Sequence, residues 1–120
     1  MFLDNQSILK NINEINFDFK DYLSKKDSIT FKNCKNLNIK IDSKINKLIF
    51  KNCSNIDLSC SATISGIDIE KSNLKLIPTS PYDLKYIDCF KSKVKIVCNE
   101  FYILEKFKIN VEDSSITYQL

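Results

Sequence analysis

The chain has 120 residues, 43% of them apolar and 28% charged, with a formal net charge of +3. All 18 basic residues are lysine; arginine, histidine and tryptophan are absent. This composition describes one ordinary globular domain. It excludes a transmembrane helix, because no apolar run approaches the ~20 residues that a span requires. It also argues against nucleic acid as a partner, since phosphates and base edges are usually read by the rigid arginine fork.

In chain order, residues 1–27 read as an N-terminal cap with the first strands. Phe2, Leu3, Ile8, Leu9, Ile12, Ile15, Phe17, Phe19, Tyr22 and Leu23 are their apolar residues. Asn16-Phe17-Asp18-Phe19-Lys20 alternates like a half-buried strand, and Asn11, Asn13 and Asn16 disfavour a helix. Residues 28–100 are repeat coils. Ile29-Thr30-Phe31-Lys32-Asn33-Cys34-Lys35-Asn36-Leu37-Asn38-Ile39 returns as Leu48-Ile49-Phe50-Lys51-Asn52-Cys53-Ser54-Asn55-Ile56-Asp57-Leu58, offset by 19 residues. A third copy runs from Ile67 to Leu76 with a corner one residue shorter, and a fourth, blurred one from Leu84 to Cys98. Pro78 and Pro81 mark a loop between them.

A fixed period near 20 with alternating apolar positions is the signature of a solenoid of short strands. The fold expected is all-β, a parallel β-helix of about four to five short coils. Alternation places Thr30, Lys32, Asn38, Lys40, Ile49, Lys51, Asp57, Ser59, Asp68, Glu70, Lys75 and Lys95 on an outer wall, with Ile49 as an exposed apolar residue. Asn33 should stack on Asn52, and Cys34 on Cys53, at strand spacing, with hydrogen bonds along the asparagine ladder. Residues 101–120 change character. Phe107, Ile109 and Val111, then Ile116, Tyr118 and Leu120, alternate on either side of Glu112-Asp113-Ser114, which predicts a C-terminal β-hairpin. A lone hairpin is marginal, so these six residues are candidates for dimerisation.

The five cysteines (34, 53, 60, 89 and 98) contain no C-x-x-C pair and have no histidine beside them. Reduced thiols are expected, with no metal and no cofactor. Met1-Phe2-Leu3-Asp4 opens no signal-peptide pattern, so the location expected is cytoplasmic and the membrane is not an expected partner. No glycine-rich phosphate loop and no nucleophile with a base is evident, so no catalytic residue is assigned.

Four segments together resemble a known family. Phe2-Leu3-Asp4-Asn5-Gln6 is similar to an aromatic-x-x-acid-Asn-Gln opening, and Ile39-Lys40-Ile41-Asp42-Ser43-Lys44-Ile45-Asn46 to a Gln-Ile-Lys-Gly-Lys-Ile-Asn stretch. Phe50-Lys51-Asn52-Cys53 and Leu104-Glu105-Lys106-Phe107-Lys108 agree in the same order. The chain resembles the C-terminal, actin-binding β-helix domain of cyclase-associated proteins. The resemblance implies a right-handed parallel β-helix that dimerises by exchanging C-terminal strands. It also implies a non-enzymatic, cytoskeleton-associated partner of monomeric actin, preferring the ADP form and promoting its nucleotide exchange. On this sequence the expected actin site is the outer strand face around Lys40, Lys44, Asn46, Lys47, Ile49 and Lys51 together with the tail hairpin. The alternatives are a β-helix scaffold without actin activity and a tubulin-cofactor-C-like regulator of a small GTPase. The latter relies on an exposed arginine that this chain lacks.

Overall fold

The computed structural model describes residues 6–18, 25–98 and 105–119. Twelve strands run through them: β1 (Gln6–Lys10), β2 (Asn13–Asp18), β3 (Ser28–Lys32), β4 (Lys35–Ile41), β5 (Lys47–Lys51), β6 (Ser54–Ala62), β7 (Ile67–Glu70), β8 (Asn73–Asp83), β9 (Tyr86–Phe90), β10 (Lys93–Val97), β11 (Lys108–Glu112) and β12 (Ser115–Gln119). Odd and even strands separate into two six-stranded parallel sheets, in the orders β1-β3-β5-β7-β9-β11 (sheet A) and β2-β4-β6-β8-β10-β12 (sheet B). The fold is a parallel β-helix, and each odd strand with the even strand after it forms one rung. Five turns separate the first rung from the sixth.

The repeat sets the register. Phe31 pairs with Phe50 and Leu37 with Ile56, both 19 residues apart. Ile56 pairs with Leu74 at 18, the shorter corner, and Ile67 with Ile87 at 20. Ile29, Leu48, Ile67 and Ile87 form one buried column in sheet A, and Ile39, Leu58, Leu76 and Ile96 another in sheet B. Between the sheets the Phe31 and Phe50 rings stack at 5.1 Å, with Phe17 edge-on to Phe31 at 6.0 Å. Identical side chains one rung apart lie about 4.8 Å from each other, close to ring-stacking distance, so the repeat converts sequence identity directly into packing.

The corner between the two strands of a rung opens on a residue with left-handed backbone, Asn11, Asn33, Asn52, Lys71, Lys91 or Asp113, with φ between 48° and 56°, and the first three rungs add a second one at Glu14, Asn36 and Asn55. The N–H of the opening residue donates to the carbonyl of the next rung, for example Asn33 to Lys51 at 2.9 Å and Lys71 to Phe90 at 2.9 Å. The side chain that follows it points inward and is Ile12, Cys34, Cys53, Ser72, Ser92 or Ser114. At the opposite corner Gly66 adopts φ +91°, and a Cβ there would sit 2.6 Å from the Tyr86 carbonyl oxygen. Glycine is required at that position.

Several expectations change. The C-terminal segment is not a hairpin: β11 pairs in parallel with β9 and β12 with β10. Glu112-Asp113-Ser114 is the sixth copy of the corner, with the Ser92 N–H donating to Ser114 Oγ at 2.9 Å, and it passes the chain between sheets instead of folding it back. Alternation alone is common to both arrangements. The lead-in forms a rung in register with β3 and β4, while Phe19, Tyr22 and Leu23 lie outside the described residues. Pro78 and Pro81 fall within β8. Pairing of β8 with β10 ends at Leu76 and Ile96, so among the described residues Pro78 lies on an overhang that pairs with β6 alone, where its missing N–H breaks no second ladder. The hydrogen-bonded asparagine ladder is Asn13–Asn36–Asn55, at 2.9 and 2.6 Å. Asn33 and Asn52 serve the corner backbone instead. Ile49 is half-buried, not exposed.

Candidate functional site

The six residues expected to meet a partner do not form one patch. Lys47, Ile49 and Lys51 share the outer face of sheet A on β5, whereas Lys40 stands on the outer face of sheet B. Lys44 and Asn46 lie in the connection between the two. Asn46 is structural: its amide donates to Ser28 Oγ at 2.9 Å and its carbonyl oxygen accepts from Ser65 Oγ at 2.9 Å, tying three rungs together. Three of the lysines have carboxylates beside them, Lys40 with Asp42 at 3.9 Å, Lys44 with Asp83 at 3.8 Å and Lys47 with Asp68 at 2.9 Å. Asp83 is held below the ordinary carboxylate range, chiefly by its hydrogen bond from Lys85 at 2.9 Å.

The register brings together a set that the sequence reading missed. On sheet A, Lys10 pairs with Lys32 and Lys32 with Lys51, all exposed. With Lys47 they give the first three rungs of this face four positive charges. The next three rungs carry Asp68, Glu70, Asp88 and Glu112 along the same columns, with Lys108 at one margin. The face is therefore bipolar. Lys10 is hidden in the sequence because its 22-residue offset from Lys32 departs from the 19-residue period of the repeat.

A second basic strip follows the corner of the later rungs, where Lys71, Lys91 and Lys93 border a concave stretch that continues past Lys75 and Lys95 on sheet B. None of the five joins an ion pair among the described residues. Lys91 lies over the Phe90 ring, 5.3 Å from its centroid. The 20-residue offsets from Lys71 to Lys91 and from Lys75 to Lys95 were the available signal.

All five cysteines are free and buried. Cys34 Sγ donates to the Lys32 and Leu9 carbonyls at 3.4 and 3.6 Å, and Cys53 Sγ to Phe31 and Lys51 at 3.3 Å each. Burial is the main cause pushing the Cys53 thiol up, which holds it in the unreactive protonated form. No group of three or more metal-ligating side chains occurs among the described residues.

At the C-terminal end, Ile109 and Ile116 are half-buried, and Val111 and Tyr118 are each 50% exposed. They occupy inward columns, yet among the described residues no further rung covers them. Phe107 is buried, and Leu120 lies outside the described residues.

The family model described as "Adenylate cyclase associated (CAP) C terminal" matches residues 4–78, more than half of the chain. The chain belongs to that family. A search of curated proteins found no match. The match spans the first three rungs and most of the fourth, so it includes the whole lysine-bearing half of sheet A. In cyclase-associated proteins this domain has an actin-binding, non-catalytic role associated with the cytoskeleton. No helix among the described residues is long and apolar enough to cross a membrane.

Proposed function

We propose that this CAP C-terminal domain binds monomeric actin, prefers the ADP form and promotes exchange of its nucleotide, returning subunits to polymerisation. The observation that carries the reading is the family match lying over the rungs that bear Lys10, Lys32, Lys47 and Lys51. Of the original six candidates, Lys47, Ile49 and Lys51 form the contact face, and Lys40 and Lys44 flank it. Actin's acidic surface gives these lysines a steering role, which speeds encounter and weakens with salt. No catalysis by this chain is involved: a partner that favours one nucleotide state or an open cleft shifts exchange through differential binding.

The apolar Ile109, Val111, Ile116 and Tyr118 support a homodimer formed through the C-terminal rung. Leu120 completes the proposed element from outside the described residues.

The test is a titration of the purified protein into labelled ADP-actin monomers, with ATP-actin as control, followed by an exchange assay. Tighter binding to ADP-actin and faster exchange are expected. No binding to either form by a folded protein would leave a second reading, a β-helix scaffold without actin activity. The in-chain carboxylate partners of Lys40, Lys44 and Lys47 favour that alternative.

A further inference from the structure

One column of the outer face of sheet A runs Lys10, Lys32, Lys51, Glu70, Phe90, Glu112, one residue per rung. All six side chains point away from the core, and none of the five charged ones takes part in an ion pair among the described residues. Three ammonium groups stacked at strand spacing, about 4.8 Å, repel each other, which an edge-protecting role does not require of the central strands β3 and β5. A uniformly acidic partner meets only the lysine half, and a uniformly basic one only the carboxylate half. The surface that complements the whole column is the column itself, reversed.

We propose that this face pairs with the same face of a second copy of the chain about a two-fold axis lying in the interface, parallel to the strands and between the third and fourth rungs. That operation exchanges the first rung with the sixth, the second with the fifth and the third with the fourth. It sets Lys10 against the second copy's Glu112 and Lys51 against its Glu70, each contact occurring twice, while Lys32 faces the uncharged Phe90, whose ring already lies under Lys91 of its own chain. Rotation about the stack axis would leave each rung facing its own equivalent and bring no such match. Six strands at about 4.8 Å and five residues at about 3.3 Å give a face of roughly 480 Å² per copy. That lies below the ~1,200 Å² total of stable complexes, so the pair is weak, reversible and salt-sensitive. The pairing is separate from any contact through the C-terminal rung. It also covers Lys51, so the self-paired form would withhold the face proposed for actin; this consequence rests on that reading, whereas the pairing itself does not.

Sedimentation of the protein alone, from about 1 μM to about 1 mM, tests it without actin. The wild-type chain should show an association step at low salt that is lost at about 0.5 M salt, where screening acts within about 4 Å. Lys51→Glu and Glu70→Lys should each weaken this step at least tenfold. An equimolar mixture of the two variants should restore it, as should the double variant Lys51→Glu/Glu70→Lys, which also shows that the substituted chains fold. Association of both single variants at wild-type strength would overturn the proposal, and is the pattern expected of pairing through the C-terminal rung alone. Absence of a salt-sensitive step in the wild type, or failure of folded variants to recover on mixing, would overturn it equally.

Discussion

The first three rungs and the last three share one strand arrangement and differ in how their corners are built: Glu14, Asn36 and Asn55 give the early corners a second left-handed residue, which the later corners, one residue shorter, lack. In the early rungs the opening left-handed residue is asparagine, which tolerates positive φ; in the later rungs it is Lys71, Lys91 or Asp113. The inward corner side chain changes from the thiols of Cys34 and Cys53 to the hydroxyls of Ser72, Ser92 and Ser114. The hydroxyls do more. The Cys53 N–H donates to Ser72 Oγ at 3.0 Å, Ser72 N–H to Ser92 Oγ at 3.1 Å and Ser92 N–H to Ser114 Oγ at 2.9 Å, while Ser72 and Ser92 each donate to a carbonyl two residues back at 2.8 Å. The outer face of sheet A reverses charge at the same boundary. The lesson is that a solenoid conserves positions, not residues, so the two halves are free to present different surfaces.

The largest break in the comparison should come from the core column that holds Phe31 and Phe50 early and Ile69 and Cys89 late. Phe50→Ala should lower unfolding stability by about 4 kcal/mol in denaturant titration, through the lost ring stack and the cavity left behind. Cys89→Ala in the same column should cost about 1 kcal/mol, because far less volume is removed.

Alkaline pH probes the buried thiols of both halves. Burial pushes Cys60 up to about 12 and, with a smaller contribution from the Asp88 charge, Cys89 to about 11, against an ordinary value near 9. The unfolded chain therefore loses these protons first. Stability should be whole below about pH 9 and fall above it by about 1.4 kcal/mol per pH unit for each thiol, until the folded thiol itself titrates. Cys60→Val should flatten the decline between pH 9 and 11 in pH-dependent denaturation; an unchanged slope would contradict the assignment.

A sharper contrast lies at the corner. Ser92→Ala should cost about 2 kcal/mol, since it strands the buried Ser72 N–H and removes a donor from the Phe90 carbonyl. Cys53→Ala should cost about 1 kcal/mol or less, because thiol hydrogen bonds at 3.3 Å are weak. The smallest effects should follow exchange of the corner residues themselves: Lys71→Asn should stabilise by about 0.5 kcal/mol and Asn52→Lys destabilise by a similar amount, read as opposite shifts in thermal midpoint.

The same division explains what could be read from the sequence. Two rungs were legible because Asn-Cys corners and Phe31 and Phe50 repeat almost verbatim at 19 residues. The fourth copy is blurred because Lys91 and Ser92 stand in place of asparagine and cysteine at a corner one residue shorter, with no second left-handed residue after Lys91. The sixth rung reads as a hairpin in the sequence because Glu112-Asp113-Ser114 carries turn chemistry suited to either path, and only its pairing with β9 and β10 decides between them. The candidate face was half visible: Lys32 and Lys51 align through the 19-residue repeat, with Lys47 and Ile49 beside them, but adding Lys10 needs the 22-residue offset between β1 and β3, which breaks the period.

The most direct test of the account compares the two halves of sheet A as partners for ADP-actin monomers. Lys32→Glu/Lys51→Glu, with its fold checked by circular dichroism, should bind at least tenfold more weakly than the wild type, whereas Glu70→Gln/Glu112→Gln should bind at least as tightly. Equal affinity of the wild type and the lysine variant would contradict the assignment of actin to the basic half of the face.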